Sequence, residues 1–312
     1  MNCCTPSPSV TMPTYAWMAN ACKALLFCVA TSIALVAIAA PEAGPGRGEG
    51  NSALEEGNTA YEYGDYERAL ALFTPLAKKG NAQAQAMLAQ LYLGQPGVPR
   101  DEEQAVQWAR LSAEQNDVSG LMVLSDIYLE GDGVTKDEVQ AITYLRRAVE
   151  LDSAEAKLRL GLMYLEGQGV ERNPEQARQW IIAAAKQDFF AAQVILGRVV
   201  LNEGSKLGAG LPLGDEESPQ ADTPPVSAAT RQAATAGDRE AQLAVGRALY
   251  AKGLREGGDV VDALAWVEKA ATSGHTMAQF AAGALYTDGS HGIPYDVTRA
   301  LSWFAKGLKQ LP

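Results

Sequence analysis

Cysteine is confined to the start of this chain of 312 residues: Cys3, Cys4, Cys22 and Cys28 are its full complement. Beyond residue 28 there is no material for a disulfide framework, a thiol nucleophile or a thiolate metal site, so stability there must come from packing. Histidine is scarcer still. Only His275 and His291 are present, which leaves 274 residues without an imidazole base or ligand. Aromatic residues make up 7%. Basic charge is thin: Lys23 is the sole charge in the first forty residues, and the remainder carries 25 basic against 37 acidic residues. With no Lys/Arg cluster to offset it, this balance argues against nonspecific affinity for nucleic acid or anionic lipid. What is plentiful is apolar residues, 47% of the chain, with Ala and Leu prominent, as close-packed helices require.

Residues 24–40, ALLFCVATSIALVAIAA, form an apolar run behind Lys23 that ends in Ala37-Ile38-Ala39. A small-x-small pattern there reads as a secretory signal cleaved near Ala39. Initiation at Met12 or Met18 would shorten its leader. The alternative is a retained inner-membrane anchor over 17–40, since the run itself falls short of the roughly 20 apolar residues that span a bilayer. Residues 41–50, PEAGPGRGEG, read as a disordered Pro/Gly-rich spacer.

The organising feature lies in 84–187. Three segments, LAQLYLGQPGVPRDEEQAVQWA from Leu88, LSDIYLEGDGVTKDEVQAITYL from Leu124 and LGLMYLEGQGVERNPEQARQWI from Leu160, repeat at a step of 36. Tyr92, Tyr128 and Tyr164 share a register, as do Gly97, Gly133 and Gly169, Ala105, Ala141 and Ala177, and Trp108, Tyr144 and Trp180. Such a period marks stacked helical hairpins. Ala84, Leu88 and Tyr92 give each first helix an apolar face. A small residue recurs at 89, 125, 161, 197, 246 and 283, where helices approach closely. Gly97-Val98 and its counterparts suit a turn that needs positive φ, while Pro99 and Pro174 stand where a helix begins. Ahead of the array, Gly57, Tyr61, Gly64, Tyr66, Ala69 and Phe73 read as a tetratricopeptide-type hairpin. A fourth repeat opens on period at Ala192, Leu196 and Gly197. It is then interrupted by 202–227, rich in Gly, Pro, Ser and acid. A degenerate second helix follows at 228–236, and two repeats resume with a step of 37.

The pattern A-x-x-x-L-(G/A)-x-x-Y-x-x-G-x-G-V-x-x-(D/N)-x-x-x-A-x-x-W, nearly intact in 156–180, resembles the Sel-one-like (SLR) repeat family, a relative of the tetratricopeptide repeats. It covers most of 82–310. The resemblance implies an all-α, right-handed α-solenoid of antiparallel helix hairpins, about six here, which holds other proteins together, often in bacterial cell envelopes. One branch of that family carries paired cysteines in each repeat and is said to bind penicillin-like ligands. This chain has none in its repeats and departs from that branch.

Little else points to chemistry. Gly208–Gly214 lacks the strand before it and the acid after it that a dinucleotide loop needs. The acids of 130–138 lack calcium-loop spacing. Asp288 and His291 are a lone pair of ligand types. The Tyr and Trp column, including Trp266 and Trp303, is registered with Ala and Gly, as core packing would be. No enzyme, cofactor or metal is expected. The non-periodic first-helix positions Gln90, Asp126, Arg159, Arg198 and Arg247 are the candidate partner-binding face, its arginines a modest basic track for an acidic partner.

The expected division is a signal or anchor at 1–40, a spacer at 41–50, an array at 51–201, an insertion or hinge at 202–227 and C-terminal repeats at 228–312. The expected function is a non-enzymatic adaptor for envelope or secreted proteins, exported, most naturally to the periplasm. Two alternatives stand beside it. One is a module binding cell-wall glycan or peptide with weak hydrolase activity, and the other a self-associating structural protein. Nucleic acid is not an expected partner, and membrane only if 17–40 is retained.

Overall fold

A computed structural model describes residues 49–202, 226–256, 260–289 and 291–311. The leader and most of the insertion, with Gly208–Gly214, therefore lie outside the described residues. Among those described, fourteen helices and no strand are present. They run as α1 (Glu49–Glu62), α2 (Tyr66–Lys78), α3 (Ala82–Tyr92), α4 (Glu102–Glu114), α5 (Val118–Glu130), α6 (Glu138–Glu150), α7 (Ala154–Glu166) and α8 (Pro174–Ala185). They continue with α9 (Phe190–Asn202), α10 (Ala228–Thr235), α11 (Arg239–Glu256), α12 (Val261–Thr272), α13 (Thr276–Asp288) and α14 (Val297–Leu308). Odd and even neighbours pair as hairpins from α1/α2 to α7/α8, and again at α11/α12 and α13/α14.

Local chemistry writes the turns. The second helix of a hairpin ends in one left-handed residue, Gly80, Asn116, Asp152, Asp188, Gly237 or Gly274. Glycine, Asn and Asp are the types that tolerate that conformation. In most cases the next residue is an N-cap: Asn81, Asp117, Ser153 and His275 each accept from a backbone N–H of the first turn. In four hairpins the longer loop closes in the same way. Asp101, Asp137, Asn173 and Asp296 donate their N–H groups to the carbonyls of Tyr92, Tyr128, Tyr164 and Tyr286 at 2.8–3.0 Å. Their side chains then cap the following helix. Pro174 occupies the first turn of α8 as expected. Pro99 instead lies three residues ahead of α4, because Asp101 holds the cap.

Glu102 Oε2 accepts from the N–H of Gly133, 31 residues on, at 2.8 Å. Gly133 has φ +68, and a Cβ there would stand 2.9 Å from the Glu102 backbone carbonyl oxygen, so the loop of one hairpin rests directly on the helix of the one before.

The regular order breaks at α9. In α7 and α11 the small residues Gly161 and Gly246 face the second helix of their own hairpin, close to the carbonyls of Ala177 and Ala263. Gly197 of α9 faces α13 instead: a Cβ would lie 2.2 Å from the Phe280 carbonyl oxygen and 2.6 Å from Ala284 Cβ. The expected second helix does form, as α10, but it packs on α11. It has only eight residues and carries Ala229 where the other Sel-one-like repeats have Trp or Tyr, so it offers little apolar face. Helix α13 is buried on every side along residues 278–287. Such a helix needs neighbours on every side, and α9, α12 and α14 supply them. Phe280 stacks on Phe304, which meets Phe190 edge to face.

Candidate functional site

The five positions singled out from sequence all fall on first helices: Gln90 on α3, Asp126 on α5, Arg159 on α7, Arg198 on α9 and Arg247 on α11. All are half-buried. They sit one residue beyond the small, inward-facing position of each helix, which places them at the edge of the packed seam. Asp126 and Arg159 join consecutive hairpins, with Arg159 Nη1 donating to Asp126 Oδ1 at 2.5 Å and Nη2 to Glu155 Oε1 at 2.8 Å. Burial works against the charge of Arg159, and the two carboxylates overcome it, so its pKa is raised. Arg198 reaches Asp288 of α13 at 3.8 Å, an ion pair that exists only because α9 pairs with α13.

Beside these stand residues that the sequence did not flag. The pKa of Arg178 of α8 is held down by burial first and then by the like charge of Arg247. Burial lowers Arg247 as well, with Glu240 opposing. Tyr250 is pushed up to about 12, by burial first and then by Asp288, with Arg198 opposing. The face thus carries acid–base pairs and, beside them, two arginines whose charge burial opposes. It can recognise charged side chains or polypeptide termini. Arg178 was missed because it occupies the position held by Val106 and Ile142 in other repeats, where sequence pattern predicts core.

The aromatic column is half-buried. Trp108 packs against two core clusters, and Tyr128, Tyr144, Tyr164 and Trp180 against one of them. Tyr hydroxyls tie neighbouring hairpins together: Arg110 Nη2 donates to Tyr128 at 3.4 Å, and Tyr286 donates to Glu268 Oε1 at 2.8 Å. Lys269 and Lys306 lie over the rings of Trp266 and Trp303, at 4.2 and 4.0 Å from the centroids.

A second recurrence is a glutamine. Gln85, Gln193, Gln242 and Gln279 stand four residues before a small residue of the first helix. Gln85, Gln242 and Gln279 each donate Nε2 to a carbonyl eight residues back, Ala77, Ala234 and Ala271, at 3.1–3.2 Å. These carbonyls belong to the last turn of the preceding helix, which has no intrahelical donors. Leu121 cannot do this for Ala113, and Arg147 of the next hairpin donates there instead, at 3.1 Å.

Near Gln242 an open crevice of ≈ 440 Å³ is lined by Ala265, Glu268, Lys269, Thr272 and Ser273. Among the described residues no group of three or more His, Cys, Asp or Glu side chains could hold a metal. Asp288 is engaged with Arg198. The backbone carbonyl of His291 accepts from the N–H of Val260 at 3.0 Å. No described helix is long and apolar enough to cross a membrane.

Among solved structures the chain is similar to a protective antigen of uropathogenic Escherichia coli displaying an SLR fold, at 30% identity over 84% of this chain and 54% of that one, TM-score 0.45. It therefore spans about half the length of that protein. It is similar to a Sel1 repeat protein from Oxalobacter formigenes, at 24% identity over 83% and 86% of the two chains, TM-score 0.43. A Pseudomonas aeruginosa protein matches at 15% identity over 86% and 83%, TM-score 0.41. No curated protein matches the chain. The Sel1 repeat pattern matches residues 52–81, 82–117, 119–153, 154–189, 239–275 and 276–310, skipping the stretch where α9 and α10 part company. With well over half of its length in these six repeats, the chain belongs to the Sel1 repeat family, whose tetratricopeptide-like hairpins serve protein–protein interaction.

Proposed function

We propose that the chain is an exported adaptor that assembles or regulates proteins of the cell envelope and performs no chemistry of its own. The observation that carries this reading is the charged first-helix face, where Asp126, Arg159, Arg198 and Arg247 sit half-buried and in register on a stack of hairpins. Rigid, periodic placement of charges suits recognition of an extended partner surface. The leader at 1–40 supports export to the periplasm, either cleaved near Ala39 or retained as an inner-membrane anchor over 17–40. The adaptor has two arrays, 51–201 and 228–312, and 202–227 lies between them.

Cross-linking in intact cells followed by capture of the tagged full chain tests this. The expected result is a reproducible envelope protein that is lost when Arg159, Arg198 and Arg247 are reversed in charge and the fold is intact by circular dichroism. Capture of nothing, or of cytoplasmic proteins only, would sink it. The glycan- or peptide-binding reading draws on Trp108 and Trp180, which are half-buried rather than sealed. It requires quenching of their fluorescence in the folded state and protection by cell-wall fragments, and fails without that protection.

A further inference from the structure

Successive second helices leave notches between them, and in two of these an arginine meets the aromatic column. Arg110 of α4 reaches to α5 of the next hairpin, where its Nη2 donates to the Tyr128 hydroxyl at 3.4 Å. The Tyr128 ring stacks on Tyr144 of α6, with centroids 5.5 Å apart. One hairpin on, Arg146 of α6 donates to the Tyr164 hydroxyl of α7 at 3.5 Å, and Trp180 of α8 stands in the register of Tyr144. Both arginines are exposed, and all four rings are half-buried.

These long hydrogen bonds occupy little of either guanidinium. Neither arginine forms an ion pair with a described carboxylate, although Glu114 and Glu150 lie one turn on in the same helices. A notch further along contains the missing group. Glu268 follows the buried Ala263 by the same five places that separate Arg110 from Ala105 and Arg146 from Ala141. There the Tyr286 hydroxyl donates to the Glu268 carboxylate at 2.8 Å and accepts from Arg299 Nη1 at 3.1 Å. Carboxylate, phenol and guanidinium thus meet within the chain. The notches at Arg110 and Arg146 hold the phenol and the guanidinium without the carboxylate.

The two notches are one hairpin apart. Arg147 Nη2 of α6 donates to the Ala113 carbonyl of α4, so these helices are neighbours, and packed helices lie about 8–10 Å apart. A polyproline II segment presents every third side chain on one face, at intervals of about 9 Å. Such segments also lay proline rings on aromatic side chains. A β-strand, with its period of two, would turn third neighbours to opposite faces. Nucleic acid, another polyanion, is repelled by a chain of net charge −11.

We propose that the edge formed by α4, α6 and α8 binds an acidic segment of another protein in the polyproline II conformation, with two carboxylates three residues apart. One carboxylate accepts from Arg110 beside Tyr128, the other from Arg146 and the Tyr164 hydroxyl. Prolines between them rest on Tyr144 and Trp180. This edge is separate from the first-helix face of Arg159, Arg198 and Arg247, so the adaptor reading and this proposal are tested apart.

Protein purified from cells making the full chain is titrated into a fluorescein-labelled peptide of four Glu-Pro-Pro repeats, and anisotropy is read. Saturable binding is expected. Arg110→Gln with Arg146→Gln should weaken it about tenfold or more, since charge-assisted hydrogen bonds are lost at both notches. Both sites are exposed, and circular dichroism should show the fold unchanged. Charge reversal at Arg159, Arg198 and Arg247 should leave the affinity as it was. A Gln-Pro-Pro peptide keeps the conformation without the charge, and a Glu-Gly-Ser peptide keeps the charge without the conformation; each should bind much more weakly. The proposal is overturned by the absence of saturable binding, by equal affinity for either control peptide, or by a double variant that binds as the parent does. It is also overturned if binding is lost with the first-helix arginines instead, or if a single-stranded oligonucleotide of equal charge binds more tightly.

Discussion

At Gly161 an added Cβ would lie 2.8 Å from Ile181 Cγ1 and 3.0 Å from the Ala177 carbonyl oxygen. Gly161→Leu therefore overpacks the α7/α8 seam, and thermal or urea unfolding should show a loss of about 1–3 kcal/mol. At Gly197 and Gly246 a single methyl discriminates between seams. The Gly197 methyl meets backbone, the Phe280 carbonyl oxygen at 2.2 Å, whereas that of Gly246 first meets the Val267 side chain at 2.7 Å, which can turn away. Gly197→Ala should cost the more of the two, read as the larger drop in unfolding midpoint. Two tyrosines predict behaviour in alkali. Tyr61 is raised from 10.0 to about 12 by burial and then by Tyr66, and Tyr250 likewise by burial first. A raised phenol stabilises the fold fully below pH 10.0 and ceases to do so as pH climbs to about 12. Phenolate absorbance of these two should appear only in step with unfolding over that interval. If they ionise early in a folded protein, their burial is wrong.

At the scale of helices, the caps are what make short elements of eleven to fourteen residues hold their ends. Asp137 accepts from the N–H groups of both Val139 and Gln140, at 3.0 and 2.9 Å. Asp137→Ala should cost about 1 kcal/mol, while Asp137→Asn should cost clearly less. Equal losses would mean that its charge, not its cap, matters. The Asp or Asn of the repeat pattern was legible from spacing, and the structure supplies its reason: it closes the loop on a Tyr carbonyl and caps the next helix in the same residue. The buried glutamines recur in the sequence just as visibly. Their role was not legible, because a Gln on an apolar face announces nothing until the carbonyl eight residues back is seen to point at it.

At the scale of the molecule, helices from both sides of the insertion share one seam, α9 against α13. The composition of 202–227 predicts first cleavage there by a nonspecific protease. Because Gly197 meets Phe280 and Arg198 meets Asp288, the two fragments should co-elute under native conditions and part only in denaturant. Fragments that separate at once would mean that this seam contributes little. The one-dimensional coupling usual in repeat proteins is thereby bypassed. A lesion in α13 should loosen α9 across more than seventy residues of sequence, and hydrogen exchange in a Phe280→Ala variant would register it.

A fixed step of 36 residues, with glycine, alanine and aromatic registers, was enough by itself to determine hairpins and turns, since each depends on residues only a few places apart. It also identified the first-helix positions from Gln90 to Arg247, because helical spacing decides which residues share a face. Which helix would partner α9 was beyond its reach. That choice compares two distant surfaces, the short apolar face of α10 and the fully buried, mostly apolar α13, and only packing in three dimensions ranks them. The company that Arg198 keeps with Asp288 follows from that ranking.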